Sequence, residues 1–428
     1  METRKCSLPD KTNVKMNAQI INIGDELLIG QTVNTNAAWL GTELSKIGFD
    51  ICRTIIIPDK RESILKILSD VTGKSDVVLV TGGLGPTSDD ITKQTICEFF
   101  GTTLVTNREV LKMIELMFER RNIQMNEKLR SQADVPASCR VLLNAAGTAP
   151  GMWFEKEDTI LIFLPGVPFE MKYIMNEHVI PDLKKRFRSN IIIHKNIMTY
   201  GTYEAKMAEL LEKFEAELPT NIKLAYLPSF GIIKLRLTGS GNDMSKLEKE
   251  IEFQVKKLYK IIPEYIYGED EEQLEETVGR LLKEKGYSLC TAESCTGGRI
   301  AQMITSIPGS SAYYKGSIIA YDNNVKTDLL NVKKSTIEKF GAVSRETAEE
   351  MAQRTLELFR CNYALATTGI AGPEGGTPQK PVGIVWITVA TSDKITSEKF
   401  QFTNDRVTNI TRFTLSALNL LRLRIIHG

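Results

Sequence analysis

From Ala18 to about Arg186, short β-branched apolar runs alternate with amphipathic stretches. Strand-like AQIINIG, FDICRTIII and DVVLVTGG are interleaved with NTNAAWLGTELSKIG, RESILKILSDVTG and SDDITKQTICEFFG. Runs of this kind, ending in Gly or Asp, predict an α/β fold, a doubly wound sheet with its loops gathered at the carboxyl edge, where ligands bind. Between about Ser189 and Asp270 the order changes to IIIHKNIMTYG, a helix to Phe214, the hairpin-like NIKLAYLPSFGIIKLRLTG and a helix over MSKLEKEIEFQVKKLYK. That order predicts a small α+β module closed by the acidic GEDEEQLEE. From Glu271 a helix, the strand YSLCTAES and a Gly-rich helix start open a third, α/β region, which ends in the helix of TNITRFTLSALNLLRLR. The expected division is an extension over 1–16 and domains over 17–188, 189–268 and 269–428. A chain of 428 residues is long enough for two or three cores of roughly 100 to 200 residues each.

Charge and rare residues narrow the chemistry. Lys plus Arg number 54 and Asp plus Glu 53, so no overall field recruits nucleic acid or an anionic membrane. The opening METRKCSLPDKTNVKMNAQ is too polar for a signal peptide, and no apolar run approaches the ~18 residues of a membrane span. Seven cysteines without a CxxC pair argue against a disulfide framework or zinc cage and fit a reducing cytoplasm. The three histidines, His178, His194 and His427, each stand alone, so a catalytic base is sought among Lys, Asp, Glu and Tyr.

Three loops punctuate the third region: TAESCTGG, PGSSAYYKG and TTGIAGPEGGTPQKPVG. Such loops before a helix present unpaired backbone N–H groups to an anion, and taken singly they more often only close a tight turn. Ser311 lies ten residues before Tyr321 and fifteen before Lys326, across the expected strand YYKGSIIAY. Attack on an amide needs a deprotonated serine, and a lysine made neutral by burial accepts its proton. By spacing alone Lys326 reads as such a base or as a solvated helix-start lysine, and Ser311 as a nucleophile or a turn cap. In the first domain, TGGLGPTSDD joins a Gly loop to Asp89 and Asp90. These carboxylates read as ligands of a divalent ion or as first-turn acids favoured by the helix dipole.

TAESCTGG, the GSSAYYKG to YDNNVK segment and TGIAGPEGGTPQKPVGIVW together resemble the nicotinamide mononucleotide deamidase domain of the CinA, or competence and damage-inducible, family. The resemblance implies Ser311 as nucleophile, Lys326 as general base and Tyr321 as a hydroxyl that orients or relays the proton, with no cofactor. It also implies that Glu293, Ser294, Thr296, Gly297 and Gly298, with Thr368, Gly369 and Gly372, hold the ribose phosphate and the oxyanion. Arg406 reads as a guanidinium forked onto phosphate or as a helix-start surface residue. Asn404 stands where the family usually has Gly.

IGDELLIGQTVNTNAAWL, TGGLGPTSDDIT, NAAGTAPGM and FLPGVPFEMK resemble the molybdopterin-binding-like domain of the same family, which implies metal-dependent hydrolysis of ADP-ribose. On that resemblance Gly82, Gly83, Gly85 and Asn34 hold the pyrophosphate, while Asp89 and Asp90, with Asp59 and Glu170, organise a divalent metal and water. Asp59 reads equally as a helix cap. The middle module is similar to the family's KH-like domain, but without a GxxG loop or basic flanks no nucleic-acid partner is expected. It departs from the family at Thr202, Tyr203 and Ala205, and at Ile232, changes expected to weaken the first site. The resemblance implies a cytoplasmic homodimer acting on nicotinamide mononucleotide and ADP-ribose. The alternatives are an amidase with a non-catalytic nucleotide- or pterin-binding N-terminal domain, and a non-enzymatic accessory protein of DNA uptake or damage response.

Overall fold

The computed structural model describes residues 16–85, 91–119, 126–187, 191–402 and 405–428. They fold as two compact units: the first runs through Ile193 and includes Ser240–Leu247, and the second comprises His194–Gly239 and Glu248–Gly428.

In the first unit, Val77–Thr81 is buried at every position and lies between Met16–Ile23 and Thr159–Leu164, all parallel. Phe49–Ile57 extends the parallel set beyond Met16–Ile23, while Gly151–Lys156 and Arg140–Leu142 close the other side antiparallel. Successive side chains of a strand point to opposite faces. Ile20 and Leu79 accordingly pack with Leu40 and Leu44, whereas Ile21, Val78 and Val80 pack with Ile64 and Leu68. Both faces of the sheet are covered by helices, which is why its strands read as continuous apolar runs.

The second unit holds two sheets. The hairpin expected over NIKLAYLPSFGIIKLRLTG forms between Ile222–Ser229 and Ile232–Gly241. Its turn places Phe230 and Gly231 at φ 47° and 90°, the doubly positive geometry that matches strand twist in a two-residue loop. Ile191–Tyr200 and Ile266–Glu269 complete that sheet. The other sheet runs in the order Tyr314–Ile319, Leu289–Glu293, Tyr363–Gly369, Ile384–Ala390, Ile395–Gln401, with the first three strands parallel.

The C-terminal helix Arg406–His427 ties the two sheets together. Leu274, Val278, Leu365 and Phe413 share one apolar cluster with Met198, Tyr200 and Tyr267 of the middle module. Tyr200 hydrogen-bonds Ser416 at 2.9 Å, and the fully buried Arg422 donates to the carbonyls of Ile266, at 2.7 Å, and Glu264. Ile232, one of the departures from the family pattern, packs against the same cluster. Among the described residues, no helix is long and apolar enough to cross a membrane.

Candidate active site

The buried strand Leu289–Glu293 delivers its last residue to the start of helix Arg299–Ser306. A helix begins with unpaired N–H groups and a positive dipole end. The Glu293 carboxylate meets both needs, accepting from the amides of Gly298 and Ile300 at 3.0 Å and Ala301 at 2.8 Å. The turn between them requires glycine at 298, where φ is +95° and a Cβ would lie 2.8 Å from Ile319. Ser294 is thereby fixed at the strand tip, its amide donating to Thr367 at 3.0 Å. Among the described residues, no hydrogen bond engages its hydroxyl.

Lys326 arrives at the same tip from the neighbouring strand. Beyond Ile319 the chain passes through Ala320 and Tyr321 into the π-helical turn Val325–Leu329. Lys326 is 2% exposed, and its Nζ donates to the carbonyls of Ala320 at 2.8 Å and Tyr321 at 3.2 Å. Burial pushes its pKa below the ordinary 10.5, because a desolvated ammonium is costly. A neutral amine has two N–H bonds and one lone pair; the two carbonyls occupy the N–H bonds and leave the lone pair to accept a proton.

A cavity of about 240 Å³ is lined by Ser294, Cys295, Tyr321, Lys326, Thr368, Gly369, Gly372 and Arg406, among others. Asp405 caps the C-terminal helix by accepting from Val407 and Thr408, which sets Arg406 at the cavity mouth. Arg406 donates to the Gly372 carbonyl at 2.6 Å and to the Tyr321 hydroxyl at 2.9 Å. Asn404 lies outside the described residues.

The structure does not bring Ser311 to Lys326. Ser311 sits exposed in a 3₁₀ turn before the amino end of Tyr314–Ile319, whereas Lys326 follows its carboxyl end. A strand of six residues rising ~3.3 Å per residue holds the two ends about 20 Å apart. The hydroxyl that shares the cavity with Lys326 is that of Ser294. Glu293, Thr296, Gly297 and Gly298 build the turn and do not line the cavity: Glu293 caps the helix, and Thr296 bonds Thr367 at 2.8 Å. Cys295, Asn323 and Glu374 line it and carried no expectation. The signal available for Ser294 was its position directly after a buried parallel strand and before paired glycines.

In the first unit, a cavity of about 340 Å³ at the carboxyl edge is lined by Asn34, Asp59, Gly82 and Gly83, with Glu26, Asn22 and Asn36. Gly82 has φ +114°, and a Cβ there would lie 2.2 Å from the Ile23 carbonyl, so only glycine lets the chain pass. Asn34 caps helix Thr35–Lys46, accepting from Ala37 at 3.0 Å. Gly85 does not line the cavity. Glu170 does not join Asp59: it accepts from Asn144 at 2.6 Å, packs against Gly147 and is absent from the lining. Asp89 and Asp90 lie outside the described residues. Among the described residues, no three His, Cys, Asp or Glu side chains gather into a group fit for a metal ion.

A doubly wound N-terminal unit, and a second α/β unit with a serine and a buried lysine in one cavity, define a multidomain α/β protein. Residues 19–185 match the family described as "Probable molybdopterin binding domain", 194–268 the "Damage-inducible protein CinA KH domain" and 271–425 the "CinA C-terminal domain". The CinA-like protein of Cytophaga hutchinsonii is 46% identical, covering 96% of this chain and 99% of its own. That of Flavobacterium psychrophilum is 47% identical over the same shares. A crystal structure of the competence/damage inducible protein CihA from Agrobacterium tumefaciens is 36% identical over 36% of this chain and 94% of its own, with a TM-score of 0.35. The chain belongs to the CinA family.

Proposed function

We propose that the C-terminal cavity hydrolyses the carboxamide of nicotinamide mononucleotide, giving nicotinic acid mononucleotide and ammonia, with Ser294 as nucleophile and Lys326 as its base. The observation that carries this assignment is the buried Lys326 amine, held by two carbonyls, in one cavity with the unengaged Ser294 hydroxyl. Ser294 Oγ attacks the carboxamide carbon as its proton passes to Lys326 Nζ. The tetrahedral oxyanion is held by the backbone amide of Cys295, which follows Ser294 and lines the cavity, a donor of this kind contributing ~3 to 4 kcal/mol. Lys326 returns the proton to the departing ammonia, and water activated by the same amine then releases the acid from Ser294. Arg406, with guanidinium N–H bonds beyond its two internal contacts, binds the phosphate. Tyr321 orients Arg406 through their hydrogen bond. Ammonia release from nicotinamide mononucleotide tests the assignment: activity retained in Ser294→Ala would remove it.

For the N-terminal cavity we propose binding of a nucleotide pyrophosphate such as ADP-ribose, on the strength of Gly82 and Gly83 beside Asp59 at the strand ends. The described donors do not by themselves complete a metal-hydrolase centre. Whether turnover accompanies binding is decided by AMP release from ADP-ribose with and without Mg²⁺ or Mn²⁺.

A further inference from the structure

The C-terminal cavity holds one carboxylate among its described lining residues, that of Glu374. Glu374 is exposed at the mouth and has no hydrogen bond or ion pair among the described residues. Its loop is nevertheless pinned. Gly383 donates to Ile370 at 2.7 Å, Thr377 and Lys380 exchange backbone hydrogen bonds at 2.9 and 3.1 Å, and Lys380 Nζ reaches the Phe340 carbonyl at 2.6 Å. Arg406 holds the same loop through Gly372.

Glu374 supplies the negative charge of the lining, and Arg406 places a guanidinium in the same cavity. A cavity so charged complements a ligand carrying both a cation and an anion. The amide carbon sits by Ser294 at the base, so the ring that bears it lies between the base and the mouth, where Glu374 stands.

We propose that Glu374 is a specificity residue that selects carboxamides borne on a cationic aromatic ring, a pyridinium, over neutral rings of the same shape. The assignment rests on the amidase reading above and deepens it. Hydrolysis turns the neutral carboxamide into a carboxylate, which Glu374 repels, so the same charge that favours substrate disfavours product.

The test compares Glu374→Gln with the wild-type full chain on two ligands: turnover of nicotinamide mononucleotide, and inhibition by benzamide ribonucleotide, its neutral-ring isostere. The expected result is a kcat/KM for nicotinamide mononucleotide lower by about two- to fivefold, the range of a partly solvated ion pair, with Ki for the isostere unchanged. Glu374→Lys deepens the loss, and added salt narrows the wild-type advantage. Equal losses for both ligands, or no change for either, overturn the proposal. Absence of wild-type turnover would instead overturn the amidase reading, a separate outcome.

Discussion

Lys326 donates through Nζ to the carbonyl of Ala320, six residues earlier, at 2.8 Å. That contact keeps a buried lysine at the end of the strand that precedes it, in the cavity that Ser294 also lines. Burial lowers the pKa from 10.5, so the base becomes competent at a pH below that of a solvated lysine. The kcat/KM profile is expected to rise through an inflection below 10.5, and Lys326→Met to lower kcat by about 10²- to 10⁴-fold.

The same shift has a consequence for stability. With the folded pKa below the unfolded one, the unfolded chain binds more protons between the two values, so Lys326 contributes stability that grows as pH rises through that window. Lys326→Met is therefore expected to raise the melting temperature below the window and to remove that part of the pH dependence. Melting curves across pH check this; a parent and variant with parallel profiles would contradict it.

Arg406 meets the Tyr321 hydroxyl and the Gly372 carbonyl with two different nitrogens, a geometry that a point-like ammonium does not reproduce. Arg406→Lys is expected to raise KM for nicotinamide mononucleotide by about tenfold, with a smaller change in kcat. Steady-state kinetics at fixed ionic strength separates the two. A kcat loss with KM unchanged would assign Arg406 to the chemical step instead.

Glu293 accepts three backbone hydrogen bonds while fully buried. Glu293→Ala leaves three amides unpaired and is expected to cost about 3 kcal/mol or more. In a unit of this size that is a melting-temperature drop of about 6 to 12 °C. Ser294→Ala, one residue on, is expected to leave the melting temperature within about 2 °C. Differential scanning calorimetry distinguishes a cap from a ligand-binding carboxylate.

Burial also raises the pKa of Glu170, opposed by its bonds to Asn144 and Ala149. For a carboxyl so raised, the folded state binds more protons between the ordinary 4.5 and the folded value, and stability falls as pH climbs through that window. Glu170→Gln keeps an acceptor for Asn144 and is expected to flatten the decline. Chemical denaturation between pH 4 and 7 measures it.

The doubly wound sheet was legible because strands buried on both faces read as unbroken β-branched runs, as in Val77–Thr81. The hairpin at Phe230–Gly231 was legible from alternation around a glycine. The expected meeting of Ser311 with Lys326 does not occur, and the strand expected over YYKGSIIAY already separates the two by its own length. Two hydroxyl-rich loops look alike in one dimension, and only parallel pairing of Leu289 with Tyr314 and Glu293 with Ile319 shows that Ser294 and Ala320 share an end. The burial of Lys326 was hidden by its polar neighbours in YDNNVK, since a π-helical turn has no simple period. Glu293 read as a binding carboxylate because cap and ligand need the same residue type beside glycines.

The most direct test of the account is ammonia release from nicotinamide mononucleotide by the wild type, Ser294→Ala and Ser311→Ala, side by side. The prediction is a loss of about a thousandfold or more in Ser294→Ala and wild-type rates in Ser311→Ala. The reverse pattern, with Ser311→Ala inactive and Ser294→Ala unaffected, would contradict it.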